Sequence, residues 1–374
     1  MEHRKDGLPL SENKTVVVGM SGGVDSSLTA ALLKERGYDV IGVTMRLADE
    51  SRDFAENDRG CCSLSAVGDA RRVCEIIGIP HYVMDFKALF REKVIDHFLA
   101  EYAHGRTPNP CIDCNRYVKF GGLLERAFEL GANYVATGHY ARIEQDKTGR
   151  YLLKKGIDPQ KDQAYALYHL NQQSLAHFLM PLGGQTKVET RRLAEKLGLP
   201  VAHKPDSQEI CFVPDDDYKR YLRENEPECL VPGDIVDTEG HVLGHHAGVP
   251  LYTIGQRKGL GIAAERPLYV VRLDMEKHQV VVGGAGDVYA ESLVAGDCNW
   301  IAIDGLTAPM DVTVKVRYGK KEGAARIEPL PDGRVRATFA EPQRAVTPGQ
   351  SAVFYDGDVV VGGGIIETAE RRIS

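Results

Sequence analysis

The stretch Val16-Val17-Val18-Gly19-Met20-Ser21-Gly22-Gly23-Val24-Asp25-Ser26-Ser27 limits the fold more than any other part of the chain. Three consecutive β-branched residues read as a strand buried on both faces, the kind found inside parallel sheets. The glycine-serine turn that follows opens into an amphipathic helix. Gly19, Gly22 and Gly23 let the backbone approach an anion closely and take left-handed dihedrals, and the hydroxyls of Ser21, Ser26 and Ser27 add donors. The first amides of the helix face the same anion with the favourable end of the helix dipole. No lysine follows the glycines, so the Walker arrangement G-x-x-x-x-G-K-[ST] is absent and γ-phosphate transfer by that machinery is not expected. The bland alternative is an ordinary tight turn between strand and helix.

The pattern then repeats. A helix ends near Arg36 with Gly37 behind it, and Val40 to Met45 reads as the next buried strand. A helix through Ala70, Val73, Cys74 and Ile77 stops at Gly78 and Pro80, and Tyr82-Val83-Met84 resumes the sheet. Leu123, Leu124, Ala127 and Leu130 stand at helical spacing, end at Gly131, and hand over to Tyr134-Val135-Ala136. Such alternation predicts an α/β fold with a mostly parallel sheet covered on both faces. Ligands of these sheets sit beyond the carboxyl ends of the strands, which draws the Ser21 turn, Met45 and Thr137-Gly138-His139 around one crevice.

After Tyr151 the periodicity weakens, although Thr186-Lys187-Val188-Glu189 is a capping box for a helix running to Leu197. From about 214 to 282 the chain is short-patterned, mixed and rich in glycine, including Tyr252 to Gly261. From about Val288 onward, alternating runs such as Val312 to Tyr318 are separated by turns at Pro331-Asp332-Gly333, Pro348-Gly349 and Asp356-Gly357, the signature of an antiparallel barrel or sandwich. A chain of 374 residues has room for about two or three cores. The expected division is a catalytic domain over 13–212, a small mixed domain over 213–282 and a β-barrel over 283–374.

Eight cysteines are too few for a disulfide scaffold in a chain of this length. The first residues are polar and charged, and no apolar run approaches the ~18 residues of a membrane span; a cytoplasmic setting without a membrane partner is expected. The net charge of -7 argues against wholesale nucleic-acid binding, so an RNA partner must be met by local basic surface.

Two further segments stand out, Gly105-Arg106-Thr107-Pro108-Asn109-Pro110-Cys111-Ile112-Asp113-Cys114-Asn115 and Asp206-Ser207-Gln208-Glu209-Ile210-Cys211-Phe212. The Ser-Gly-Gly-Val-Asp-Ser turn resembles the PP-loop of ATP pyrophosphatases. Together with Ala136-Thr137-Gly138-His139-Tyr140, Lys161-Asp162-Gln163, Gly255-Gln256-Arg257-Lys258-Gly259 and Pro348-Gly349-Gln350, these motifs resemble the tRNA-specific 2-thiouridylases of the MnmA/TrmU type over nearly the whole chain. The resemblance implies replacement of the C2 carbonyl oxygen of a tRNA wobble uridine by sulfur, at the expense of ATP and with Mg2+. A carbonyl oxygen is a poor leaving group until adenylated, and cysteine can carry sulfur as a persulfide that a second cysteine releases by thiol-disulfide exchange. By the family pattern Cys114 matches the nucleophile and Cys211 the persulfide carrier. Gly19, Met20, Ser21, Gly22, Gly23, Val24, Asp25, Ser26, Met45 and Gly138 match ATP-binding positions. Asn109, Pro110, Cys111, His139, Lys161, Asp162, Gln163, Arg317, Tyr318 and Gln350 match positions facing tRNA. The implied partners are tRNAs for Lys, Glu and Gln and a sulfur donor such as a cysteine desulfurase or relay protein.

Each residue also has a plainer reading. A C-x-x-C can be half of a structural zinc site or a redox pair, but no second such pair completes a zinc set, and Pro110 before Cys111 does not suit the redox helix. Cys211 between Ile210 and Phe212 could be a small core residue, as Cys74, Cys229 and Cys298 are expected to be. Lys315, Arg317, Lys320 and Lys321 form a basic stripe that an exposed strand would show equally well. The Cys61-Cys62 pair falls in a polar loop. Many family members carry aspartate where this chain has Cys111. Relatives with three cysteines resemble iron-sulfur-dependent enzymes, so Cys111, Cys114 and Cys211 are expected to ligate a 4Fe-4S cluster, with the persulfide relay as the rival. Two other classes remain open: a synthetase that adenylates a carbonyl and admits an amine, which needs neither Cys114 nor Cys211, and a non-catalytic RNA-binding module, which leaves the Ser21 turn without a role.

Overall fold

Val16, Val17 and Val18 are completely buried in a computed structural model that describes residues 14–48, 64–206, 210–213, 215 and 217–371. They form β1 (Thr15–Gly19), which pairs in parallel with β2 (Asp39–Arg46) on one side and β4 (Tyr134–Ala136) on the other. With β3 (His81–Asp85) and β7 (Phe178–Leu179) the sheet runs β3-β2-β1-β4-β7, every pairing parallel. The chain reverses its direction of strand addition between β1 and β4, so the crevice lies beyond Gly19 and Ala136.

The helices between these strands end in one way. In α1 (Val24–Glu35) the amides of Gly37 and Tyr38 return to the carbonyls of Lys34 and Leu33, with Gly37 at φ 86°. This pair of hydrogen bonds satisfies the last carbonyls and turns the chain into the next strand. The same closure recurs at Gly78 after α2 (Leu64–Ile77), at Gly131 after α3 (Leu123–Glu129) and at Gly198 after α4 (Lys187–Lys196). At the start of α4 the expected capping box is present, Thr186 accepting from the Glu189 amide while the Glu189 carboxylate accepts from Thr186. One face of the sheet is covered by α1, α2 and α4, whose Ala30, Leu33, Val73 and Ala194 pack on Val16, Val18 and Val40.

The chain forms two units that are interleaved in sequence: 1–95, 110–217 and 358–360 in the first, 96–109, 218–357 and 361–374 in the second. The first holds the parallel sheet and a hairpin of β5 (Ala141–Gln145) and β6 (Tyr151–Lys155). Val359 pairs with Lys154 of that hairpin, and the Asp358 carboxylate accepts from Arg142 and lies 3.6 Å from the Lys154 ammonium. The second unit holds two sheets. One is mixed, ordered β10-β11-β8-β9, with β8 (Gly233–Val236) parallel to β11 (Gln279–Gly283) but antiparallel to β9 (Val242–His246); β10 (Tyr269–Asp274) completes it. The other is an antiparallel barrel of β12 (Tyr289–Trp300), β13 (Met310–Lys315), β14 (Gly323–Pro329), β15 (Val335–Arg344), β16 (Ser351–Asp356) and β17 (Val359–Arg371), closed by β12 against β17. Val314, Ile327, Ala337, Phe354 and Ile366 fill it. The α/β class, the mixed middle sheet and the barrel agree with the sequence pattern; the β5-β6 hairpin did not announce itself there. No helix of the described residues is long and apolar enough to cross a membrane.

Candidate active site

The turn after β1 is shaped by its glycines and held by its serines. Gly22 stands at φ 68°, and a Cβ there would lie 2.3 Å from the Ala66 carbonyl oxygen, so no side chain fits. The Ser21 amide donates to Ser26 Oγ at 3.1 Å, and Ser27 Oγ donates to the Gly23 carbonyl at 2.8 Å. Ser21 itself is exposed, and α1 has no side-chain cap, which leaves its N-terminal end for an anion. Across the crevice, a Cβ on Gly138 would come within 2.8 Å of Asp25 and of the Ser26 amide nitrogen. The turn after β4 therefore packs against the first turn of α1 without room for a side chain. A cradle of glycine backbone, hydroxyls and a helix N-terminus fits the phosphates of ATP. A magnesium ion there would take the phosphates and the Asp25 carboxylate.

Asp25 has partners that no motif signalled. Both of its oxygens accept from Lys187 Nζ at 2.7 Å, and Oδ1 also accepts from the Tyr140 hydroxyl at 2.8 Å. Lys187 is the first residue of α4 and is buried. Its ammonium also lies 2.8 Å from Asp206 Oδ1. Asp206 further receives Lys161 at 2.8 Å and Arg191 at 2.9 Å. Burial works to raise the Asp206 carboxyl, but the hydrogen bonds and charges of Lys161 and Lys187 hold it below the usual carboxylate range. Burial and then the Asp25 charge push the Tyr140 hydroxyl up, so it stays a donor. A second lysine, Lys204, bonds the Gly22 carbonyl at 3.2 Å and Asp69 at 2.7 Å.

The cysteines of the first unit differ in exposure. Cys111 lies in the helical turn Pro110–Asp113 and is exposed; Cys114 opens a π-helical stretch, Cys114–Gly122, and is buried. Wide π turns inside helices recur at functional sites. Cys211 is partly exposed, and its neighbour Phe212 packs edge-to-face on Phe90 at 5.8 Å. Asn115, beside Cys114, donates to the Ala166 carbonyl at 3.0 Å. The Cys61-Cys62 pair and Ser207-Gln208-Glu209 lie outside the described residues.

The expectation of a 4Fe-4S cluster on Cys111, Cys114 and Cys211 finds no support here. Residues three apart on a helix share a face, yet Cys111 is exposed and Cys114 is buried. Among the described residues the single group of three potential ligands within 4.8 Å of one another is Asp237, Glu239 and His241, in another unit and in a surface turn. No disulfide is formed among the described cysteines. Burial and then Glu75 push the Cys74 thiol up to about 12, and burial does the same for Cys298, so both are poor nucleophiles.

Several positions matched to tRNA contacts bond to backbone groups of this chain. The Asp162 carboxylate accepts from the Gly156 and Ala164 amides, and Gln163 Oε1 accepts from the Tyr140 amide at 2.9 Å. His139 is buried, with Nδ1 2.7 Å from Thr137 Oγ1 and its ring against Phe120. Burial, then Lys119 and His169, hold its pKa well below the usual imidazole range. In the second unit Gln350 is buried, and its Nε2 donates to the carbonyls of Thr107 at 2.7 Å and Pro108 at 3.2 Å. Asn109 and Arg317 are half-buried and Pro110 is buried, while Tyr318 is exposed with the Lys315 ammonium 5.6 Å over its ring. Met45 is half-buried near the end of β2.

A parallel sheet with a phosphate-cradling turn at its switch point, a cysteine-bearing π-helical stretch and a β-barrel describe a nucleotide-using enzyme of the HUP class. Residues 14–215 match the family model described as tRNA methyl transferase HUP domain, 219–284 the tRNA methyl transferase PRC-barrel domain and 290–366 the aminomethyltransferase beta-barrel domain. The chain is 58% identical over 97% of its length to the whole of a protein from Caldanaerobacter subterraneus subsp. tengcongensis named tRNA-specific 2-thiouridylase MnmA 2. It is 57% identical over 95% of its length to 99% of an Acetivibrio thermocellus protein named tRNA-specific 2-thiouridylase MnmA. The chain belongs to the MnmA family of tRNA-specific 2-thiouridylases. A 4-thiouridine synthetase in complex with RNA and ATP superposes loosely, with a TM-score of 0.35 and 16% identity over 60% of this chain and 53% of that one.

Proposed function

We propose that this chain is a tRNA sulfurtransferase that converts the wobble uridine to 2-thiouridine. The uridine C2 oxygen attacks the α-phosphorus of ATP, pyrophosphate leaves into the Ser21 to Ser26 turn, and C2 carries AMP. The Cys211 persulfide then attacks C2 with its terminal sulfur, and the C2-O bond breaks to release AMP. The Cys114 thiolate attacks Cys211 Sγ, which leaves the sulfur on the base and a Cys114-Cys211 disulfide. Two electrons from a thiol reductant reset the pair. Magnesium, when bound, neutralises the charge developing on the pyrophosphate.

This chain's own residues place the reactants. The Ser26 and Ser27 hydroxyls fix the turn, and Gly138 lets the chain after β4 pack against the start of α1 at Asp25. Met45 is available to the adenine side of the crevice. The π-helical stretch keeps Cys114 out of water and Asn115 braces it on the chain around Ala166. Arg317, Tyr318 and the exposed Lys320 and Lys321 offer the RNA backbone a basic face. On this reading 13–212 is catalytic, 213–282 joins it to the rest and 283–374 contacts tRNA in the cytoplasm, and a cysteine desulfurase or relay protein recharges Cys211. The observation that carries the reading is the glycine cradle at the switch point in the same unit as Cys114 and Cys211.

The test is to incubate the protein with ATP, magnesium, a sulfur source and unmodified tRNA. Thiolated uridine should appear by mercury-gel retardation, in step with AMP and pyrophosphate. ADP as the product, or AMP without thiolated base, would overturn the assignment.

A further inference from the structure

The loop Gly255-Gln256-Arg257-Lys258-Gly259 of the second unit takes no part in the proposed chemistry, yet both of its ends are fixed. Ile254 and Leu260, on either side of it, are buried in the core of the mixed sheet with Val270 and Val280. The Gly255 amide donates to the Val270 carbonyl at 2.8 Å, and the Val270 amide donates to the Gln256 carbonyl at 2.9 Å. The Gln256 side chain clamps the turn from within: its Oε1 accepts from the Thr253 amide at 3.1 Å and its Nε2 donates to the Lys258 carbonyl at 3.0 Å. A Cβ on Gly255 would lie 2.7 Å from the Ala345 Cβ, so the base of the loop abuts the barrel.

The tip carries charge without a counter-charge. Arg257, Lys258 and Gly259 are exposed. Among the described residues neither cation has a carboxylate partner, and the amides of Arg257, Lys258 and Gly259 donate to no group of the protein. Between Tyr252 and Leu268 stand three cations, Arg257, Lys258 and Arg266, and one carboxylate, Glu265, in a chain whose net charge is -7. Free amides beside a guanidinium and an ammonium, on a backbone already held in place, are the donors that phosphate oxygens accept. Of the polyanions such a loop could meet, tRNA is the one that this family handles.

We infer that the Gly255 to Gly259 loop is a phosphate-binding site that grips the tRNA backbone, so that the mixed sheet bears on the substrate as well as joining its neighbours. The inference rests on tRNA being the substrate. Contacts to phosphate add affinity and orientation without reading sequence. Because the loop is fixed before RNA arrives, little conformational freedom is lost on binding.

The experiment measures the affinity of the full chain for unmodified tRNA by fluorescence anisotropy, from low to high salt. The wild type is compared with Arg257→Gln/Lys258→Gln and with a control, Arg272→Gln/Lys277→Gln, that removes two exposed cations of the same sheet. Each lost phosphate contact flattens the dependence of log affinity on log salt by about 0.7–0.9, so the loop variant should be shallower by about 1.4–1.8. The lines converge near 1 M salt, which makes the affinities differ by about 25- to 60-fold at 0.1 M. Its melting temperature should match that of the wild type, and the control should bind as the wild type does. An unchanged salt slope in the loop variant, or the same flattening in the control, would overturn the site. So would a loop variant that binds tRNA normally and thiolates it with sulfide but fails when a protein delivers the sulfur, since the loop would then meet an acidic protein. A wild type that does not bind tRNA at any salt would remove the substrate reading itself and this inference with it.

Discussion

Replacing Gln350 with leucine separates a side chain that serves RNA from one that serves the fold. Gln350 Nε2 donates to the Thr107 carbonyl at 2.7 Å and to the Pro108 carbonyl at 3.2 Å, and the residue is buried. The backbone beside it is equally committed. Thr107 N donates to the Pro348 carbonyl at 2.9 Å, and a Cβ on Gly349 would lie 2.8 Å from Thr107 N. Leucine keeps the bulk and removes the donor, so the Thr107 carbonyl loses its short bond in a place water does not reach. One strong and one weak bond lost from buried carbonyls cost about 2–3 kcal/mol. For a unit of this size that lowers the melting temperature by about 4–12 °C. The assay is differential scanning calorimetry of Gln350→Leu beside the wild type, with tRNA affinity measured on both. A variant that melts with the wild type but binds tRNA more weakly would refute the reasoning and return Gln350 to an RNA-facing role.

Gly138→Ala should cost about 1–3 kcal/mol and lower nucleotide affinity with it, because all three nearest atoms belong to Asp25 and the Ser26 backbone; unchanged binding by calorimetry would show that the crevice can give way. Cys111→Ala should retain thiolation while Cys114→Ala and Cys211→Ala abolish it, and loss of activity in the first together with stoichiometric iron after anaerobic reconstitution would restore the cluster. His169, whose ring nitrogens are shielded and unpartnered, has its pKa pulled down to about 3 by burial and then by Arg116. The unfolded state then binds the extra proton, so its contribution is complete above the ordinary value of 6.5 and is lost as pH falls below it, by about 1.4 kcal/mol per unit. His169→Phe should flatten the stability profile between that value and about pH 5, and parallel urea titrations of the two proteins would disprove the burial argument. Lys320→Ala with Lys321→Ala should weaken tRNA binding evenly across sequences and make its salt dependence shallower; an unchanged salt slope would make the stripe a solvated face.

What could be read from sequence was what local chemistry specifies. The glycines at 37, 78, 131 and 198 announce helix ends because few other residues take the left-handed turn at low cost, and Val16 to Val18 announce a central strand. The capping box at Thr186 was equally plain. Lys187, the very next residue, carries no signal of its own beyond its place in that box. Its partner is 162 positions away, and nothing in the local pattern encodes that meeting. For the same reason Asp162, Gln163 and Gln350 stand in motifs while their side chains satisfy backbone groups far off in sequence or across a tight turn. The opposite exposure of Cys111 and Cys114 was also hidden, since a three-residue spacing alone argues for one face.

The interleaving of the two units has a consequence for synthesis on the ribosome. Domains usually fold in the order in which they emerge, the first while the rest is still being made. Here Arg142 and Lys154 in the first unit wait for Asp358, and the outer edge of the β5-β6 hairpin waits for Val359. The segment 96–109 emerges early but belongs with chain made more than a hundred residues later. A nascent chain halted anywhere before Asp358 therefore carries an uncompleted first unit, with an unpaired strand edge and two cations that share the single carboxylate of Glu144. Premature truncation should produce a substrate for chaperones and proteases, not a smaller working enzyme.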